Sequence, residues 1–384
     1  MAHLKKNVLI FTAYYYPSIK AGGPVQSIKN LVDNLSDYFN FYIVTSDRDL
    51  GDSQPFTDIK TEEWIDVGNA KVFYVDNKHL SLMKTSKIIN DTPCKVMYLN
   101  SFFSLKHSIF PLILIKLKVI KMKKTILTPR GEFSIGALAI KKRKKQLFIG
   151  ISKKMKLHKS IEWHATNEKE HKEITDIFSD SSNVTIINNL TPDYSKMSYT
   201  KEILKESGNL KIIYIARIHP IKNLLQIINL LNYVDGDIEF NIYGPIEDVK
   251  YWEKCEGSIR NLKKNIHIKY CGTIQHSKVI DIYNSHHISA LLTFGENFGH
   301  SISEAMIGGC PVIISDKTPW RELEKNNVGF DIPLKDEKKI IDSLQYFVDM
   351  NNTDYQKISK KAFEYSQNKS NNNIDIETYK KIFY

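Results

Sequence analysis

Between Gly295 and Pro311 the chain reads G-E-N-F-G-H-S-I-S-E-A-M-I-G-G-C-P, which places Glu296 and Glu304 eight positions apart around a Phe298-Gly299 turn. A short helix pattern follows, ends at Gly308-Gly309, and gives way to the apolar run Val312-Ile313-Ile314. A loop that opens into a helix offers backbone N–H groups and the positive end of the helix dipole, and such a place holds a phosphate. Carboxylates beside it can accept hydrogen bonds from hydroxyl groups on either side of that phosphate. Phosphate flanked by polyhydroxylated rings is the chemistry of a nucleotide sugar. A plainer reading stays open. Ser301 to Glu304 fits the capping-box pattern S-x-x-E, Glu296 can be an exposed loop acid, and the glycines can serve turn geometry alone.

Two other places carry related chemistry. Arg217-Ile218-His219-Pro220-Ile221-Lys222 follows a strand-like run and precedes the helix pattern Asn223–Leu231. Two fixed cations beside a helix start suit a diphosphate, above all a leaving diphosphate whose charge grows in the transition state. Nearer the N-terminus, Ala21-Gly22-Gly23-Pro24 stands between a strand and the helix pattern Val25–Leu35, where a glycine pair lets backbone N–H groups approach an anion closely. It is not G-x-G-x-x-G, which argues against a nicotinamide dinucleotide. Two D-x-D matches, Asp47-Arg48-Asp49 and Asp235-Gly236-Asp237, sit among turn-type residues, and no metal is expected.

The elements that must position these residues alternate along the whole chain. Strand candidates are Val8–Ala13, Phe41–Ser46, Lys71–Val75, Val96–Asn100, Thr125–Thr128, Ile161–Thr166 and Val184–Asn188, then Lys211–Ala216, Glu239–Tyr243, Ile266–Cys271, Ile288–Phe294, Val312–Ser315 and Gly329–Ile332. Most are apolar throughout, as parallel strands covered on both faces must be. Strand–helix–strand repetition of this kind makes doubly wound α/β sheets, and the polar segment Thr191–Asn209 separates two of them. The expected organisation is an N-terminal Rossmann-like domain over 1–198, a second one over 199–369, and a terminal helix over 370–384 that packs back onto the first. Every motif above follows a strand, at the edge where open α/β sheets bind ligands.

Composition narrows the class. With 384 residues, 42% hydrophobic and 25% charged, the chain is that of a globular protein of two ordinary domains. Four scattered cysteines without metal-ligand spacing fit a reducing cytoplasm. The longest apolar run, Ile109–Ile115, is broken by Pro111 and is too short to span a bilayer. The net charge of +11 is concentrated, since 105–172 holds eighteen Lys and Arg against four acids. In 105–124 lysines and apolar residues intermingle, and Lys141-Lys142-Arg143-Lys144-Lys145 follows. A basic, partly apolar surface suits peripheral attachment to an anionic inner leaflet, and a helix packed on the sheet with a lysine-rich outer face fits equally. Nucleic acid is disfavoured, because no aromatic stacking pattern accompanies the lysines.

Taken in order, the Gly22-Gly23 loop, Arg217 with Lys222, Tyr243-Gly244-Pro245, and E-x-F-G-x-x-x-x-E from Glu296 to Glu304 followed by P-V-I resemble glycosyltransferase family 4. Thr128-Pro129-Arg130-Gly131-Glu132 and Thr318-Pro319-Trp320 look like a subgroup that builds bacterial surface polysaccharides, including lipopolysaccharide O-antigen and capsule. The resemblance implies a retaining enzyme of GT-B fold, two Rossmann-like domains facing across a cleft. It implies a UDP- or GDP-linked sugar donor, a glycan or lipid-diphosphate-linked acceptor, and no cofactor. By the same resemblance Arg217 and Lys222 neutralise the donor diphosphate and Glu304 holds the ribose hydroxyls. Glu296, with Asn297, Phe298, Gly299, His300 and Ser301, meets the transferred sugar and its phosphate. Gly22 and Gly23 approach the donor from the first domain, and Gly244 and Thr273 lie near the base. Arg130 and Glu132 fall on the acceptor side, Arg130 standing where many relatives carry a histidine. Asn297 and His300-Ser301 replace the commoner Gly and Leu-Pro. A nucleotide-sugar epimerase or phosphorylase of the same fold, and a non-catalytic binding partner, are the alternatives.

Overall fold

A computed structural model describes residues 5–139, 141–178, 183–370 and 372–384. The chain divides into two compact units, Met1–Pro192 with Asn372–Tyr384, and Asp193–Asn371.

The first unit is built on β1 (Lys6–Thr12), β2 (Phe39–Ser46), β3 (Trp64–Val67), β4 (Ala70–Val75), β5 (Val96–Asn100), β6 (Lys124–Thr128), β7 (Glu162–Ala165) and β8 (Val184–Ile186). They form one sheet in the order β3-β4-β2-β1-β5-β6-β7-β8. Every pairing is parallel except β3 with β4. The continuous apolar strands follow from this, since Val8, Leu9, Ile10 and Phe11 are all fully buried and alternate between two cores on opposite faces of the sheet. β3 is the strand that the sequence reading lacks. It is short and half-buried at the sheet edge, so it carries neither a long apolar run nor clean alternation. The C-terminal helix Asn373–Phe383 belongs to this unit, burying Tyr379, Ile382 and Phe383 against β1, β2 and β5. Its entry is fixed by Asn372, whose side chain accepts from the Thr191 N–H at 3.2 Å and donates to the Thr191 carbonyl at 2.8 Å.

The second unit has a six-stranded, all-parallel sheet of β9 (Asn209–Ile215), β10 (Asp237–Tyr243), β11 (Ile266–Tyr270), β12 (Ile288–Leu291), β13 (Val312–Ser315) and β14 (Gly329–Ile332), in the order β11-β10-β9-β12-β13-β14. The order reverses between β9 and β12, and in the first unit between β1 and β5. The carboxyl ends of those strand pairs are where an open α/β sheet leaves a crevice. The expected strand Ile288–Phe294 stops as a strand at Leu291. Beyond it the backbone leaves the sheet, and the Ile221 carbonyl takes the Phe294 N–H at 2.8 Å and the Thr293 hydroxyl at 3.0 Å.

The polar segment 193–208 has no apolar face, yet it is part of the second unit's interior. Lys201 is buried, its ammonium donating to the carbonyls of Tyr283 and Gly308, both at 3.1 Å, at the ends of two helices. Lys205 does the same for the Val348 and Met350 carbonyls at 2.9 and 3.1 Å. A cation at a helix C-terminus satisfies orphan carbonyls and the negative end of the dipole together. Lysine stems replace the apolar stripe that a packed segment normally needs.

Candidate active site at the carboxyl edge of the second sheet

After β9 the chain turns through Ala216 and Arg217. This turn touches the one after β10, where Gly244 has φ +139 and a Cβ would stand 1.9 Å from the Ala216 carbonyl oxygen. Only glycine permits that approach. The contact is stitched by Ala216 N–H to Tyr243 O at 3.1 Å and Ile218 N–H to Pro245 O at 2.9 Å, which fixes the ridge that carries Arg217. The Arg217 guanidinium pairs with Glu247 at 2.5 Å, both side chains being about one-third exposed. The His219 ring accepts from the Ile221 N–H at 3.2 Å and so caps the single turn Pro220–Lys222. Lys222 then forms an ion pair with Glu296, and both side chains are mostly buried. Because Ile221 also binds Thr293 and Phe294, the loops that bring Lys222 and Glu296 together are held by backbone as well as by charge.

The helix His300–Ile307 starts directly after Gly299, which acts as N-cap at φ +82 with no side-chain cap bond. Ser301 therefore lies inside the helix, and S-x-x-E is not a capping box here. That alternative is corrected by the position of the helix start. A Cβ on Gly299 would lie 2.8 Å from Ile302, and the positive φ adds strain, so this turn requires glycine. The loop is clamped from behind by Trp320, whose indole N–H donates to the Phe298 carbonyl at 2.7 Å while its ring meets Phe298 edge-on at 5.9 Å. Phe298 in turn lies 4.8 Å from the His300 ring.

Glu304 is buried, and burial pushes its carboxyl up to about 7. His276, in the turn after β11 and Thr273, approaches it at 3.8 Å. A buried carboxyl with so distant a partner is poorly compensated, and perturbed acids of this kind cluster at functional sites. Thr273 itself is exposed.

At the carboxyl edge of the first sheet, Gly22 has φ +63 and precedes the helix Gly23–Leu35, which no side chain caps. No atom lies within 4 Å of a Cβ built on Gly22 or Gly23. The approach to this turn is pinned by Asp49, which accepts from the Ile19, Lys20 and Leu50 N–H groups at 2.8, 3.1 and 2.7 Å and from the Ser18 hydroxyl. Burial alone would raise the Asp49 carboxyl, but these bonds bring it below its ordinary value. Asp47 pairs with Arg48, which also binds Asp76 at 2.6 Å. The first D-x-D match thus works as a loop anchor. The second places Asp235 at the surface, paired with Lys263 at 3.7 Å.

Arg130, in left-handed backbone at φ +54, directs its guanidinium to three neutral groups. Nε donates to Asn100 at 2.9 Å, one terminal nitrogen to the Tyr98 hydroxyl at 3.0 Å, and the other to Asn189. Tyr98 continues to His164 Nδ1 at 2.8 Å, and Nε2 of that ring donates to the Ile187 carbonyl at 2.8 Å. Burial and then Arg130 hold His164 down to about 3, so it stays neutral. Glu132 accepts from the Ser101 hydroxyl at 2.7 Å and from the Phe102 and Phe103 N–H groups at 2.6 and 3.1 Å, while burial raises its carboxyl. Both residues stand at the strand ends, with their polar atoms engaged by the surrounding backbone and side chains.

Glu247, His276, Trp320 and Asp49 are the site residues that reading the sequence for chemistry missed. Asp49 had a signal, but D-x-D points to metal rather than to backbone. Trp320 was visible only as a motif letter, because its partner Phe298 lies 22 positions away.

Residues 196–365 match the family described as glycosyl transferases group 1. A search of the curated proteins found no match. Among solved structures, the chain is similar to sucrose-phosphate synthase from Thermosynechococcus elongatus, at 13% identity and TM-score 0.73, over 99% of this chain and 98% of that one. It is also similar to HepE from Anabaena, solved with UDP and glucose, at 12% identity and TM-score 0.69, over 98% of each chain. WaaG, a glycosyltransferase involved in lipopolysaccharide biosynthesis, matches at 11% identity and TM-score 0.66, over 94% of this chain and 95% of that one. At these identities the likeness speaks for the fold. The family match falls within the second unit, and the chain as a whole has the GT-B fold of its structural neighbours, which supports a glycosyltransferase.

Proposed function

We propose that this glycosyltransferase retains configuration and moves a sugar from a nucleoside diphosphate to a lipid-linked or oligosaccharide acceptor in bacterial surface-polysaccharide synthesis. The observation that carries the reading is the convergence of Arg217, the Lys222–Glu296 pair and the Glu304 helix at the switch point of the second sheet. Lys222 and Arg217 supply positive charge where a leaving diphosphate gains negative charge, and fixed donors of this kind stabilise a transition state strongly because they need no reorganisation. Two cations do the work of a metal, so the transfer is expected to survive a chelator. Glu304 accepts hydrogen bonds from the ribose hydroxyls. Glu296 and the turn from Asn297 to Ser301 hold the transferred sugar and its inner phosphate. The leaving diphosphate oxygen takes the acceptor proton on the face it departs from, so configuration is kept without a protein nucleophile.

A uridine donor is favoured first, since HepE was solved with UDP and glucose. The surface-polysaccharide role is supported by the likeness to WaaG and by the Thr128–Glu132 and Thr318–Trp320 motifs. The test is to incubate the purified chain with UDP-, GDP- and dTDP-sugars and follow both its melting temperature and sugar transfer. A donor bound only by the folded protein raises the melting point. Stabilisation by none of them, or unchanged turnover in both Lys222→Ala and Glu304→Ala, sinks the proposal.

A further inference from the structure

The basic, apolar stretch of the first unit divides into two parts that the structure treats differently. Within 105–124, Ile109, Leu112 and Leu114 are buried, so the apolar side of the Phe110–Lys116 helix belongs to the core. The helix Lys142–Lys154 is the opposite case. Ser152 is its one fully buried residue among those described, and it contains no acid. Lys145, Phe148, Ile149 and Ser152 face inward. Phe148 packs on Phe102 at 5.4 Å, and Lys145 donates to the Ala137 carbonyl at 2.7 Å. That leaves Leu147 (66% exposed) and Ile151 (46% exposed) one turn apart on the outer face. Arg143 and Lys144 lie one turn before Leu147, Lys154 one turn after Ile151, and Met155, also exposed, continues the line.

We propose that this outer face docks the protein onto an anionic lipid bilayer, with Leu147, Ile151 and Met155 entering the headgroup–acyl boundary and Arg143, Lys144 and Lys154 meeting the headgroups. The chemistry singles out that occupant. Apolar side chains set among cations match a surface that is anionic outside and apolar beneath. A second copy would bring cations against cations. The helix is also internally unfavourable, since four cations fill its first turn at the positive end of the dipole. Its N-cap, Lys141, has φ +55 and makes no side-chain cap bond. Anionic headgroups offset both. The inference deepens the functional reading and rests on it for the lipid-linked acceptor.

The test is co-sedimentation of the full chain with vesicles of phosphatidylcholine alone and of phosphatidylcholine with phosphatidylglycerol. Binding to the anionic vesicles alone is expected, falling about tenfold or more in Leu147→Glu/Ile151→Glu and in Arg143→Glu/Lys144→Glu. It should be unchanged in Lys335→Glu/Lys338→Glu, which removes the same charge from the second unit. Melting curves check folding, and Leu147→Ser/Ile151→Ser replaces the first variant if it unfolds. The proposal is overturned if the parent fails to bind, if both site variants bind like the parent, or if the control loses as much. It is equally overturned if the variants abolish self-association and leave lipid binding intact. Donor-induced thermal stabilisation is measured on the same samples. Its loss in the parent strikes the functional reading, whereas lost vesicle binding with donor binding kept strikes this inference alone.

Discussion

The carboxyl edges of the two sheets carry similar residues in opposite circumstances. In the second unit Arg217 and Lys222 each face a carboxylate, and Glu304 is buried, with His276 3.8 Å away. In the first unit the hydrogen bonds of Arg130 go to the neutral side chains of Asn100, Tyr98 and Asn189, with the Glu170 carboxylate attracting it through space, and Glu132 is surrounded by N–H and hydroxyl donors. An arginine that ties Tyr98, Asn100 and Asn189 together braces strand ends against one another. Cations paired with carboxylates at a loop edge keep strong fields ready for a charged ligand. Residue type is thus a weak guide to role, and the partner decides.

The sharpest way to break this contrast is Lys222→Ala. Transfer should fall about a thousandfold or more, the scale of losing a fixed charge at a leaving group, in protein that is still folded at the assay temperature although Glu296 is left unpaired. A large melting shift with activity retained would place Lys222 in the bracing class instead. Next, Arg130→Ala leaves Asn100, Asn189 and Tyr98 without their donor, so unfolding of the first unit should become easier by about 3 kcal/mol. Arg217→Ala, at a partly exposed pair, should cost under about 1 kcal/mol. Urea titration of the two variants checks this, and equal costs would erase the distinction.

Glu304 gives a pH signature. Its folded carboxyl lies near 7, above its ordinary value of 4.5, so the protonated form is favoured in the native state. That contribution is fully present below 4.5 and is lost as pH rises towards 7. Glu304→Gln should therefore gain on the parent across this window, by at most about 3 kcal/mol. Donor affinity should run the other way and rise with pH through about 7, because the ionised carboxylate accepts hydroxyl bonds better. A flat affinity profile overturns the ribose role. Trp320→Phe removes one bond to the Phe298 carbonyl and should cost about 1 kcal/mol. It should also raise the KM for donor more than it lowers kcat, since the clamp only positions the loop.

Much of this was legible from residue order. Strands β5 and β13 have the bounds that their runs predict, because a strand buried on both faces shows a near-continuous apolar run. The Lys222–Glu296 pairing was not legible, although both residues were. They are 74 positions apart, and only the adjacency of β9 and β12 brings their loops together. β3 escaped because an edge strand needs little apolar pattern, and the mooring of 193–208 escaped because lysine stems do the packing.

By itself the sequence determined the doubly wound architecture and the loops that hold the chemistry, since both depend on local pattern: apolar runs, turn glycines, and charges just after strands. Only the tertiary structure decided what each charge faces. It turned a capping-box match into a buried acid inside a helix, a metal-like D-x-D into a loop anchor, and part of the basic surplus into an outward helix face. Those outcomes depend on contacts between residues distant in the chain, which folding creates and local pattern does not encode.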